Sequence, residues 1–123
     1  LWWRLLLLQA FMMQLPNAEL ALIDLNKLRN YSLNPQHRRG KDKARLFTAI
    51  LGLTQDDALI LQALIKKALC HHDAILGSID EYGQRYVVDF SVTRNQNTAT
   101  VRTIWIIRIA EDFPRLVSCY IVR

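Results

Sequence analysis

The hydrophobic period of this chain changes once, near His72–Asp73, and that change limits the architectures open to it. Before it, apolar residues recur every three or four positions. After it, they alternate. Asp24 is placed to cap a helix bearing Leu25, Leu28 and Tyr31, after a short strand through Ala21–Ile23; Pro35 stops that helix. Gly40 precedes a second helix, Asp42–Leu51, whose Ala44, Phe47, Ile50 and Leu51 share a face and whose end is marked by Gly52. Thr54 with Asp57 resembles a capping box and opens a third helix, with Ile60, Leu61, Leu64 and Ala68 as its stripe, running to about Leu69–His72.

Past His72, "AILGSIDEYG" and "QRYVVDFSV" predict a hairpin turning near Tyr82–Gly83. "TATVRTIWIIRI" follows the polar turn "RNQN" as a third strand, and "RLVSCYIV" follows the breaker "EDFP" as a fourth. Helices first and strands afterwards predict an α+β domain with N-terminal helices packed on one face of a four-stranded antiparallel sheet. Alternation puts Tyr86, Val88, Phe90 and Val92 on the core side, and Arg85, Asp89 and Ser91 on the other. In the last strand Val117, Cys119 and Ile121 are expected in the core, with Ser118 and Tyr120 pointing away. The third strand stays open: either Arg102 lies with Ile104 and Ile106 on the free side, or Thr103 and Trp105 do, and a one-residue bulge would exchange them.

A chain of 123 residues with 51% hydrophobic content is long enough for one core without metals or disulfides. Residues 13–123 are read as one domain. Cys70 and Cys119 sit in apolar runs without a CxxC partner, and are read as reduced core residues of a cytoplasmic protein. "CHH" at 70–72 is a poor metal-ligand set, because adjacent helical side chains point apart. No metal and no cofactor is expected. The opening "LWWRLLLLQAFMM" is too short to span a bilayer, which takes roughly 20 residues, and lacks the pattern of a signal peptide. Residues 1–12 are read as a non-native or unstructured extension, with translation starting at Met12 or Met13; an amphipathic membrane anchor is the alternative.

Net charge is +5, which favours polyanionic partners. The charge is densest in "NPQHRRGKDKARLF", where Arg38, Arg39, Lys41, Lys43 and Arg45 follow His37 across the start of the second helix. Cutting RNA without a metal needs a base at the 2′-hydroxyl, an acid at the leaving oxygen and cations on the phosphate. A histidine can exchange protons near neutrality, and Lys41, Lys43 and Arg45 can neutralise phosphate, helped by amides at a helix start. Arg39 and Arg85 are further candidates to bind RNA. Ser118 and Tyr120 can donate to phosphate oxygens. The bland alternative is a solvated basic loop with an inert histidine, beside a sheet face that is merely wet.

The pieces "KLRNYSLN", "HRRGKDKARLF", "LGLT", "YGQRYVVDF", "VRTIWII" and "PRLVSCYIV", in this order, resemble a bacterial domain family of unknown function that is frequent in cyanobacteria. The likeness runs from Leu15 to the C-terminus. Members of that family resemble small toxins encoded beside a short partner. More distantly, helices followed by a sheet ending in a strand of the form [ST]-x-Y resemble the metal-independent ribonuclease fold of barnase-, colicin- and RelE-type toxins. The resemblance implies His37, Lys43, Arg102, Ser118 and Tyr120 as functional positions, RNA as substrate and an acidic cognate antitoxin as partner, although no glutamate occupies an obvious base position on the sheet. A non-catalytic module that binds a protein or RNA through its basic face is the rival expectation, and an accessory domain whose gene neighbour does the chemistry is a third.

Overall fold

A computed structural model describes residues 12–122. The helical part comprises α1 (Leu25–Lys27), which passes into a π-helical turn (Leu28–Ser32), then α2 (Lys41–Leu51), a 3-10 turn (Gln55–Asp57) and α3 (Ala58–Leu69). The strands are β1 (Met12–Met13), β2 (Ala74–Asp80), β3 (Gly83–Arg94), β4 (Asn97–Arg108) and β5 (Arg115–Val122). They form one antiparallel sheet in the order β1-β2-β3-β4-β5. Among the described residues the sheet therefore has five strands rather than the expected four. The extra one is two residues long, Met12 opposite Ile75 and Met13 opposite Ala74, too short to carry any alternation of its own. The rest of the expected N-terminal extension, residues 1–11, lies outside the described residues.

Local sequence explains the joints. Asp24 Oδ1 accepts the Asn26 N–H at 2.9 Å and starts α1. Asp57 Oδ2 accepts the Thr54 N–H at 2.9 Å, and Gly52 closes α2 in the left-handed region at φ 64. Between β3 and β4 the two-residue turn Asn95–Gln96 has φ of 54 and 68, the pairing of signs that a type I′ hairpin demands. The ladder then runs without a break from Arg94–Asn97 to Gly83–Arg108. At that far end Gly83 has φ 146, and a Cβ there would collide with the Ile107 carbonyl. The strand expected at Ala21–Ile23 is a single parallel bridge between Leu22 and Arg115, with Leu22 N–H donating to Pro114 O at 2.8 Å.

One set of alternate residues on β3, β4 and β5 is buried: Tyr86, Val88, Phe90 and Val92, then Ala99, Val101, Thr103 and Trp105, then Leu116, Cys119 and Ile121. With the exception of Thr103 they share a single hydrophobic core with Phe47 and Leu51 of α2 and Leu61 and Ile65 of α3. Val117, expected in that core, is 36% exposed. The β4–β5 register slips between Ile104 and Trp105, so Ser118 faces Ile104 while Leu116 faces Trp105, and Val117 becomes the unpaired residue of a bulge. Leu116 takes its place inside. No single helix among the described residues is long and apolar enough to cross a membrane.

The cysteines part company. Cys119 is buried, and burial pushes its thiol up to about 12. Cys70, expected in the core, is exposed, because α3 ends at Leu69 and the chain turns out of the apolar stripe there. A thiol-specific reagent at neutral pH should therefore modify one cysteine per native chain and both after denaturation. Fast reaction of both in the native protein would contradict the burial of Cys119.

Candidate functional site

The buried face of β4 decides the site. Thr103 Oγ1 donates to Val88 O at 2.8 Å and accepts the Trp105 Nε1–H at 2.8 Å, so both side chains are satisfied inside the core. Arg102 is left on the opposite face. There the ladder sets it directly across from Asp89 on one side and Tyr120 on the other. Its guanidinium grips Asp89 with two bonds, Nε to Oδ1 and Nη2 to Oδ2, each 2.9 Å. These bonds and the carboxylate charge raise the Arg102 pKa, and the neighbouring Tyr120 phenol adds a smaller contribution.

Lys43 reaches the same place from the first turns of α2. Its Nζ stands 4.4 Å from the centre of the Tyr120 ring. The register of the sheet and the start of α2 thus bring Lys43, Tyr120, Arg102 and Asp89 together, with a net charge of one positive. Ser118 lies on the Tyr120 side of β5, at the bulge, half-buried and free of any side-chain hydrogen bond among the described residues. A phenol beside two cations, one of them held in a fixed plane, suits an anion with several oxygens. Asp89 uses two of the five Arg102 donors and leaves the others.

The remaining candidates stand differently. His37 Nδ1 accepts the N–H groups of Arg39 and Gly40, both at 3.1 Å, and its ring meets Tyr31 with centroids 4.4 Å apart. Its carbonyl accepts the Lys41 N–H at 3.0 Å. The imidazole thereby ties the "HRRG" turn onto the start of α2, two residues before Lys43; of the ring nitrogens only Nε2 is free of backbone bonds among the described residues. None of the hydrogen bonds or ring contacts of His37 is to Arg102, Ser118 or Tyr120. Arg39 and Lys41 are exposed, and Arg45 has only a loose pairing with Asp42 at 3.8 Å. Arg85 is bound to Asp80 at 2.6 Å, at the hairpin end of β3, about 13 Å of strand from Asp89. Among the described residues, no group of three or more His, Cys, Asp or Glu is placed to hold a metal ion.

Two partners of the expected residues, Asp89 beside Arg102 and Tyr31 beside His37, carry no role in the sequence reading. Alternation places Asp89 on the correct face of β3, but its role follows from being opposite Arg102, which depends on the β3–β4 register. The signal that could have found it is the two-residue "NQ" turn, since a turn of known length sets every cross-strand pair behind it. Tyr31 gave no signal, because its contact with His37 is made by the path of the loop.

These features define an α+β domain whose five-stranded sheet carries a half-buried arginine, carboxylate and phenol on one face, with the exposed Lys43 of α2 over the phenol ring. The chain belongs to the family described as a domain of unknown function (DUF6883), which matches residues 14–123. No curated protein and no solved structure gives a significant match.

Proposed function

We propose that this domain is a metal-independent endoribonuclease acting as the toxin of a toxin–antitoxin pair. The observation that carries the reading is the meeting of Lys43, from the helical half, with Tyr120 of the sheet, which itself lies opposite Arg102. In this scheme Lys43 and Arg102 hold the scissile phosphate, and Tyr120 and Ser118 orient it. His37 exchanges protons through Nε2. The 2′-oxygen gives up its proton and bonds to phosphorus, the bond to the 5′-oxygen breaks, and that oxygen takes a proton. The products are a 2′,3′-cyclic phosphate and a 5′-hydroxyl. Arg39, Lys41 and Arg45 on the exposed turn and helix start would track the flanking backbone, and an acidic partner would silence the protein by covering them.

A second reading rests on a specific observation. The imidazole of His37 already serves as a backbone cap, which suits a domain that binds RNA or an acidic protein without cutting it. One experiment separates the two. Purified protein incubated with total RNA and excess chelator should yield fragments ending in cyclic phosphate. Binding that weakens steeply with salt, without any new RNA ends, would discard the nuclease and retain the binding module.

A further inference from the structure

We infer that the outer edge of β3 between Asp89 and Arg94, together with the cleft beside it, is a docking site for an extended acidic segment of a partner protein. This inference is independent of the nuclease reading. It starts from the mismatch in strand lengths. β3 is 12 residues long and is paired along its whole length with β4, whereas β2 is paired with it only as far as Ile75 opposite Val87. Beyond that point no strand among the described residues lies against the outer side of β3.

The hairpin says which backbone groups are left over. Arg94 and Asn97 flank a two-residue turn and so form its closing hydrogen-bonded pair. By alternation Phe90 and Val92 also bond towards β4, and Ser91 and Thr93 aim their N–H and C=O groups outwards. Both residues are exposed, and neither backbone bonds to another segment among the described residues. An open edge of this kind pairs with any strand that fits, and proteins usually block it with charge, proline or a covering element. Here charge stands only at the two ends, Asp89 and Arg94; Ser91 and Thr93 between them carry neither charge nor proline, and no strand among the described residues covers them.

What stands beside it is a cleft of about 220 Å3 between β3 and the second half of α3. Leu64 and Ala68 form its apolar floor, and Lys67 and His71 its rim. Among the described residues the rim carries no carboxylate and Lys67 has no ion pair. A strand added to β3 would send alternate side chains into this cleft. A small apolar side chain would reach Leu64 and Ala68, and acidic ones on either side of it would reach Lys67 and His71. Charge complementarity therefore selects an acidic, extended occupant.

The peptide acetyl-Thr-Glu-Thr-Val-Thr-Glu-Thr-amide tests this, titrated into the full chain and followed by amide NMR. The expected result is saturable shifts at Ser91 and Thr93 with slowed exchange of those two amides. The counterpart with Lys for Glu should bind at least about tenfold more weakly, as should the acidic peptide to Lys67→Glu. Ser91→Pro removes one outward donor without touching the β4 ladder, and should lower affinity by about tenfold or more while preserving the remaining spectrum. Equal binding of both peptides, or shifts confined to other surfaces, would overturn the proposal. So would Ser91 and Thr93 amides already protected in the free chain. Protection lost on starting the chain at Met12 would assign the edge to residues 1–11, and protection that rises with concentration would assign it to a second copy. Should Ser91→Pro unfold, Lys67→Glu still decides: unchanged affinity for the acidic peptide rejects the site.

Discussion

Alanine in place of Arg102 should reduce RNA cleavage by about 10²- to 10³-fold while leaving the fold intact, the loss typical of removing one fixed donor from a developing negative charge. The fold survives because the pair is only half-buried. The Arg102 and Asp89 side chains are 37% and 30% exposed, so water can solvate the carboxylate that is left alone. Arg102→Lys should recover little, since an ammonium cannot form the two parallel bonds that set the guanidinium plane against Asp89. Asp89→Asn gives the complementary result. It leaves both positive charges in place but frees the guanidinium to rotate, so kcat should fall more than KM rises. Asp89 acts through Arg102 and is a positioning residue. The measurement is single-turnover cleavage of a labelled RNA, with circular dichroism of each variant as the control for folding. An Arg102→Ala protein that cuts at the original rate would remove the cluster from any catalytic account.

Thr103→Val is expected to be the most damaging small substitution in the sheet, at about 2–4 kcal/mol. The shapes of the two side chains are nearly equal, so the loss is not one of packing. The Thr103 hydroxyl is completely buried and serves two partners, giving its proton to Val88 O and taking the Trp105 indole N–H. Valine leaves the indole donor sealed away from water with no acceptor, and leaves the carbonyl without its side-chain donor. Denaturant unfolding of Thr103→Val, Trp105→Phe and the double variant checks the cause. Phenylalanine removes the orphaned donor, so the double variant should be less destabilised than the sum of the two single ones. Strict additivity would mean that the hydroxyl–indole bond contributes nothing. The same network keeps Thr103 and Trp105 on the core side, and hence Arg102 on the side of the cluster, so stability and site share one physical cause.

Strand β4 is ambiguous in its sequence for a physical reason. Its residues from Ala99 to Ile107 are apolar or uncharged at nearly every position except Arg102, so both alternations are plausible as a buried face. A threonine is an ordinary solvent-side residue by composition. It becomes a core residue only where a carbonyl and an indole N–H stand within reach, and those belong to Val88 across the strand and Trp105 along it. Val117 failed for a related reason. The bulge that expels it is a mismatch between two strands, and neither strand alone records it.

The chain by itself determined the two halves, the places where elements begin and end, and most of the buried alternation. These are short-range matters of period, capping groups and turn residues: Asp24, Gly52, Thr54 with Asp57, and the turn before Gly83 act on neighbours a few positions away. Tertiary structure alone decided that Lys43 meets Tyr120, that Asp89 faces Arg102, that His37 turns inward to cap its own loop, and that β3 outruns β2. Each of these depends on register or on the path of a loop between elements. Such features arise from packing many residues at once, and the local pattern of the chain has no term for them.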